Sequence, residues 1–215
     1  MIAALLPAAV VVVEAYADDP HAMLFPAERD AISAAVPVRR NEYATVRACA
    51  RQALARLGLP PAAILSGARG APQWPDGAVG SMTHCTGFRA AALARTGAVT
   101  SLGIDAEPHR PLPDGILPTI AGPSEQAVVR ELSRSAPHVR WDTLLFSAKE
   151  SVYKAWFPRT GLWLGFEEAE IDLRPDGTFS ARLVGDAGAA PGAPPAGFQG
   201  RWTAGRDLLA TAIAS

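Results

Sequence analysis

From Trp141 to Phe157 the chain reads as one long helix that is apolar and aromatic over most of its surface, yet carries Lys149, Glu150 and Lys154. Leu145, Ala148, Val152 and Ala155 recur at helical spacing and form a stripe for burial. Phe146, Glu150, Tyr153, Lys154 and Phe157 fall on a neighbouring face. Pro158 and Gly161 predict the stop. A Glu–Lys pair at i,i+4 is ordinarily a solvated ion pair that stabilises a helix by about 0.2–0.5 kcal/mol. Glu150 and Lys154 are flanked by Phe146 and Phe157, an unusual setting for such a pair. Surface pair and functional site both stand until a second motif joins this one.

That motif lies about forty residues upstream, in Gly103-Ile104-Asp105-Ala106-Glu107. In a strand, residues two apart share a face, so Asp105 and Glu107 project together, about 7 Å apart at Cα. Ile104 and Ala106 then face the core. Two carboxylates on one face repel unless a cation lies between them. The bland alternative puts Glu107 past the strand end, in solvent. Three carboxylates near two ammonium groups suit a divalent cation beside a phosphate: the carboxylates hold the cation, and the cation and lysines share the phosphate charge.

Other candidates carry less alone. His84 sits in Gly80-Ser81-Met82-Thr83-His84-Cys85, and a lone strand histidine is more often structural. A Cys85–His84 dyad is disfavoured because adjacent strand residues point to opposite faces. Arg39, Arg40, Arg47, Arg51 and Arg56 cluster on the first long helix, with Arg47 and Arg51 sharing a face. They make either a solvated surface or an arginine clamp for phosphate. Ser151-x-x-Lys154 matches the Ser-x-x-Lys pattern of penicillin-recognising enzymes. No Ser-x-Asn or Lys-Thr-Gly follows it, so that reading is rejected.

With 215 residues and a net charge of −1, the chain can bury one good core or two small packed halves, and it is no generally basic nucleic-acid binder. Ile2–Val13 is apolar and Ala15-Tyr16-Ala17 resembles a signal-peptidase site, but no basic residue precedes the run. A buried strand over Val10–Ala15 is the better reading, and no run is long enough to span a bilayer. Cys49 and Cys85 read as reduced thiols of a cytoplasmic protein.

The element order is helix, then strands, twice. A helical segment covers Glu28–Leu57, interrupted at Pro37, and strands follow at Val79–His84, Arg89–Ala94 and Thr100–Glu107. Pro108–Pro123 is a connector, and Ser124 caps a helix over Glu125–Arg134. Strands are expected at Glu168–Leu173, Thr178–Leu183 and within Gly197–Ala214, with a surface loop over Gly185–Gly197. This order predicts an α+β protein of two similar halves, 1–108 and 109–215, although the sequence shows no repeat.

Together these segments resemble the 4′-phosphopantetheinyl transferases, in the larger monomeric class that serves non-ribosomal peptide and polyketide synthases. The subgroup serving enterobactin-type and mycobacterial pathways is the nearest. The resemblance is carried, in order, by Arg39-Arg40-Asn41-Glu42-Tyr43 with Arg47, by Arg69-Gly70-Ala71-Pro72-Gln73-Trp74-Pro75, and by Gly80–Cys85. It continues through Gly103–Glu107 and Phe146-Ser147-Ala148-Lys149-Glu150-Ser151 with Lys154. It spans residues 37–158. Many members carry a glycine soon after the second lysine. Ala155-Trp156-Phe157-Pro158 stands there instead, a mark of the mycobacterial-like subgroup.

The resemblance implies a pseudo-dimer of two α+β halves, each a long helix packed on a small antiparallel sheet, with coenzyme A in the cleft between them. It implies transfer of the phosphopantetheine arm to a serine of an acyl or peptidyl carrier protein, with release of adenosine 3′,5′-bisphosphate. By carry-over, Asp105, Glu107, Glu150 and the main-chain carbonyl of Ala106 hold Mg²⁺. Arg39, Arg47, Thr83 and His84 contact coenzyme A, and Ser66, Gly67, Ala68 and Arg69 line the nucleotide. Lys149 and Lys154 reach the pyrophosphate. Glu150, or a metal-bound water, takes the serine proton. Two rivals use the same residues: a Mg²⁺-dependent coenzyme A pyrophosphate hydrolase, and a non-catalytic nucleotide-binding module. The module has no need of Glu150.

Overall fold

The computed structural model describes residues 1–194, 197–205 and 207–215. The chain passes twice through one order of elements. After a 3-10 turn at Ile2–Leu5 come β1 (Val11–Ala15), α1 (Pro26–Ile32), α2 (Pro37–Arg56), β2 (Ala78–Cys85) and β3 (Phe88–Arg95). The second round is β4 (Leu102–Pro108), α3 (Leu117–Ile120), α4 (Pro123–Ser135), α5 (Trp141–Thr160), β5 (Ala169–Leu173), β6 (Thr178–Leu183), α6 (Asp186–Ala189), β7 (Phe198–Ala204) and β8 (Leu208–Ala214). The sheets have orders β1-β3-β2 and β4-β8-β7-β6-β5, with antiparallel pairing throughout. In each, the first strand of the half pairs with its last. β4, counted with residues 1–108 on sequence order, hydrogen-bonds to β8 and so lies in the second sheet.

Strand alternation divides the interior into three clusters. On β3, Ala91 and Leu93 face α2, where they meet Cys49, Ala50, Ala53 and Leu54. Ala90, Ala92 and Ala94 face a shared cluster with Ile2, Leu5, Ile104, Ala106, Ala210 and Ala212. On β8, Leu209 and Ile213 turn instead to the third cluster, under Leu144, Leu145, Ala148, Val152 and Ala155 of α5. The small side chains of β3 let one strand be covered on both faces.

The two sheets meet along β2 and β4, which hydroxyl groups join in place of a backbone ladder. Ser81 Oγ accepts the Ile104 N–H at 3.1 Å. Thr83 Oγ1 accepts the Ala106 N–H at 3.3 Å and donates to Asp105 Oδ1 at 3.1 Å. Two edge N–H groups of β4 are thus satisfied without fusing the sheets. Gly103 sets how close α5 comes to β4: a Cβ there would lie 2.0 Å from the Ser151 carbonyl oxygen.

Several expected boundaries move. The interrupted helical segment is α1 and α2, with Pro37 opening α2 rather than breaking it. Gly122, not Ser124, is the N-cap of α4, and the Glu125 carboxylate accepts its N–H at 2.9 Å. Pro158 lies inside the last turn of α5. The helix runs to Thr160 and closes at Gly161, whose φ of 67° is left-handed. Part of the expected 185–197 loop is α6, and residues 195 and 196 of that loop lie outside the described residues. No helix among the described residues is long and apolar enough to cross a membrane.

Candidate functional site

A cleft of about 270 Å³ opens over the seam between the sheets, lined by Arg39, Tyr43 and Arg47 from α2 on one side and Glu150, Tyr153, Lys154 and Phe157 from α5 on the other. Ser66 and Arg69–Pro72 form its rim, and Gly80, Ser81, Met82 and His84 of β2 its floor.

On the α2 side Arg47 is buried, yet its guanidinium is largely satisfied by the protein. Nε donates to the Ile64 carbonyl at 2.9 Å and Nη2 to Ser66 Oγ at 3.3 Å, and the group stacks 3.1 Å from the Tyr43 ring centroid. Burial lowers its pKa to about 10, which still leaves it cationic at neutral pH. Ser66 opens a tight loop: Gly67 N donates to Ala71 O at 2.7 Å, and Arg69 sits in the left-handed region at φ 55°. Arg69 lies 5.0 Å from the Trp163 ring centroid, so this loop touches the segment that follows α5. Trp74 holds the loop's far end by donating Nε1–H to Gly80 O at 2.9 Å. Arg39 hydrogen-bonds to His84 Nε2. His84 has its pKa lowered by burial and by Arg39, and therefore sits as a neutral imidazole.

At the seam, Asp105 is 3% exposed. Its Oδ1 receives Thr83 and the Lys154 ammonium, the latter at 2.6 Å, while its Oδ2 is buried without a partner. An unpartnered buried carboxylate oxygen is costly, so it marks a place that wants a cation or donor. Glu107 projects from the same face of β4. Its pKa is pushed up to about 7, by burial first and by Asp105 next. Glu150, half-buried on α5, is also raised by burial, with Lys154 lowering it and Asp105 raising it. The three carboxylates therefore feel one another across the β4–α5 contact. The Ala106 carbonyl lies on the strand edge to which its own N–H points, toward Thr83.

As they stand, no three acidic, imidazole or thiol groups among the described residues are gathered closely enough to cage a metal. Lys154 takes the position on Asp105 Oδ1 that a cation would compete for. The chemistry of the donor set still suits a hard divalent ion: carboxylate and carbonyl oxygens, one of them unpartnered.

One assignment is corrected. Lys149 does not reach this cleft. Its ammonium is buried on the other side of α5, donating to Glu125 Oε2 at 3.0 Å, Phe166 O at 2.7 Å and Ala169 O at 2.8 Å. Burial lowers its pKa against the pull of Glu125. The arginine cluster, left open between a solvated face and a phosphate clamp, divides. Arg51 pairs with fully buried Glu28 at 3.0 Å, and only Arg39 and Arg47 of that cluster line the cleft. The sequence placed Tyr153 and Phe157 on the face of Glu150 and Lys154, and Tyr43 beside the arginines, but gave none of the three a role in the site, whose cleft they line. Tyr43 stands at i,i+4 to Arg47, and Phe157 at i,i+4 to Tyr153, spacings that could have been read.

The family profile described as the 4′-phosphopantetheinyl transferase N-terminal domain matches residues 27–94. That of the 4′-phosphopantetheinyl transferase superfamily matches residues 101–193. The chain is 57% identical to the 4′-phosphopantetheinyl transferase Svp of Streptomyces mobaraensis, over the whole of this chain and 89% of that protein. It is 47% identical to the 4′-phosphopantetheinyl transferase PptT of Mycobacterium tuberculosis, over 99% of this chain and 97% of that protein. Component D of enterobactin synthase from Salmonella typhi is 32% identical over 70% of this chain and 62% of that protein. A cleft between two α+β halves, the carboxylates along its seam and these relatives agree: the chain belongs to the 4′-phosphopantetheinyl transferases, enzymes that move the phosphopantetheine arm of coenzyme A onto carrier proteins.

Proposed function

We propose that coenzyme A lies in this cleft with its nucleotide toward α2 and its pyrophosphate at the β4–α5 seam, where a carrier-protein serine attacks. The observation that carries this reading is the convergence of Asp105, Glu107, Glu150 and Lys154 at one seam, with Asp105 Oδ2 unpartnered. Arg39, Arg47, Thr83 and His84 meet the substrate, chiefly its phosphates, and Ser66, Gly67, Ala68 and Arg69 border the nucleotide. Neutral His84 contributes a hydrogen bond rather than a charge.

Asp105, Glu107, Glu150 and the Ala106 carbonyl would hold Mg²⁺, which when bound shares the pyrophosphate charge and polarises its oxygens. Glu150 takes the serine proton. Burial raises its pKa, which makes it a better base than an ordinary carboxylate. The serine oxygen bonds to the β-phosphorus as the bond to the adenosine 3′,5′-bisphosphate oxygen breaks. Lys154 stands beside Asp105 where the negative charge of that transfer grows. One chain supplies every group of the site, and Cys49 and Cys85 are free thiols. Both facts support a cytoplasmic enzyme acting as a monomer.

Intact-mass measurement tests the reading. With Mg²⁺ and coenzyme A, a cognate acyl or peptidyl carrier protein gains about 340 Da, the phosphopantetheine mass this transfer moves. Adenosine 3′,5′-bisphosphate released without a carrier would indicate hydrolysis instead. No gain on acyl, aryl or peptidyl carriers would sink the proposed transfer.

A further inference from the structure

We propose that Glu42 is a positioning residue for coenzyme A, holding Arg39, and through Arg39 the neutral His84, in the arrangement that receives the substrate's phosphates. The proposal rests on the reading of Arg39 and His84 given above. Glu42 lies on α2 one turn after Arg39. Its Oε2 is 3.5 Å from Arg39 Nη1 and 3.7 Å from His84 Nε2. Its Oε1 is 3.3 Å from Nη2 of Arg89, on β3. Arg89 is a firm anchor: it is 5% exposed and donates to Asp18 Oδ1 at 2.8 Å, to Cys85 O at 2.6 Å and to Phe88 O at 3.2 Å. The contacts thus run from a buried arginine through Glu42 to an exposed arginine and a half-exposed histidine at the cleft.

Two effects of Glu42 oppose each other. A carboxylate beside a phosphate site repels the anion, which alone would weaken binding. A carboxylate that fixes a long arginine side chain lowers the ordering cost met on binding, which strengthens it. The geometry favours the second. Arg39 has 45% of its side chain exposed and, among the described residues, is held only by Glu42 and His84. Glu42 keeps Arg89 as a counter-charge, so its own charge is largely spent within the protein. Removing it frees Arg39 without creating a buried orphan, since Arg89 retains Asp18.

The two effects differ in sign, so kinetics separate them. Glu42→Gln keeps the shape and removes the charge. We expect KM for coenzyme A to rise roughly three- to tenfold, as expected when one side chain must be ordered on binding. The kcat should change less than twofold, KM for the carrier protein should not change, and Glu42→Asp should recover most of the loss. In an Arg39→Ala/His84→Ala background, adding Glu42→Gln should have no further effect. Thermal melts of each variant confirm that it is folded. A KM that is unchanged or falls overturns the proposal, as does an undiminished effect in the double-alanine background. If Arg39→Ala/His84→Ala itself leaves KM for coenzyme A unchanged, the placement of the phosphates at this corner is what fails, and Glu42 falls with it.

Discussion

Lys149 and Lys154 stand five positions apart on one helix, about 140° around its axis at roughly 100° per residue. That rotation decides their fates. Lys154 reaches the seam and Asp105, while Lys149 is 3% exposed in the second half's core, holding Glu125 and two carbonyls. The sequence showed two ammonium groups flanking a carboxylate, and charge counting treated them alike. Helical phase would have separated them. Lys149→Met leaves Glu125 buried without its cation and should cost about 3–5 kcal/mol of stability, read as a fall in Tm, while the folded fraction keeps near-normal kinetic constants. Lys154→Ala likewise strips buried Asp105 of its cation, so Tm should fall as well, but here the folded fraction should also lose about 10²–10³-fold in kcat. Lys154→Arg should rescue it poorly, because a planar fork replaces a compact charge. If Lys154→Ala altered only KM, the lysine would be a binding group and the charge argument at the phosphorus would fail.

The contact between β4 and α5 is where the site is assembled, and it depends on Gly103. Alternation along Gly103–Glu107 correctly predicted that Ile104 and Ala106 face the core, because a strand's period of two is written directly in its residues. What alternation cannot show is how near the helix approaches. That is fixed by a missing side chain, whose Cβ would meet Ser151 O at 2.0 Å and Ala155 N at 2.9 Å. Gly103→Ala must therefore push α5 outward, a loss of about 1–3 kcal/mol for overpacking. Because Glu150 and Lys154 ride on that helix, a displacement of about 1 Å should also lower activity roughly 10²-fold. A Gly103→Ala protein with full turnover and unchanged Tm would show that the helix tolerates the methyl and that its spacing is not tuned. Pro158 shows the limit of local rules on the same element. Proline reads as a stop, but near a helix end it removes one hydrogen bond. The Gly161 N–H then closes the last turn on Phe157 O at 2.8 Å.

The repeat that the sequence hid becomes visible in how the two halves are tied together. Phe25-Pro26-Ala27-Glu28 and Gly122-Pro123-Ser124-Glu125 each place Pro at the first helical position and Glu at the third. Glu28 caps Phe25 N, accepts Ile64 N at 2.8 Å and pairs with Arg51 of α2. Glu125 caps Gly122 N, accepts Ile171 N at 2.9 Å and pairs with Lys149 of α5. A Pro-x-Glu in two places is too short to be noticed until the fold shows that both carboxylates are buried and do the same work. It also explains Lys149 as the counterpart of Arg51, a tie within its half.

The seam between the halves is different: Asp105 is paired with Lys154, but among the described residues Glu107 and Glu150 have no such tie, and this gives the whole molecule an unusual response to pH. An unfolded glutamate titrates near 4.5, whereas burial and Asp105 push Glu107 up to about 7. Between those values the folded protein binds more protons than the unfolded one, so this group's contribution to stability falls as pH rises, the reverse of an ion-paired carboxylate. Glu150 is shifted the same way. Bound Mg²⁺ would need these groups ionised and would offset their repulsion, so its stabilising effect should be small near pH 5.5 and large near pH 8. Calorimetric Tm of the wild type and of Glu107→Gln, each with Mg²⁺ or with a chelator, checks this across pH 5–8. Without metal, the wild type should lose Tm relative to Glu107→Gln as pH rises. With Mg²⁺ that difference should close or reverse above pH 7. A wild-type response to Mg²⁺ that is the same at both ends of the range, or that Glu107→Gln retains in full, would mean that Glu107 holds no metal and that the seam's charge is balanced by Lys154 alone.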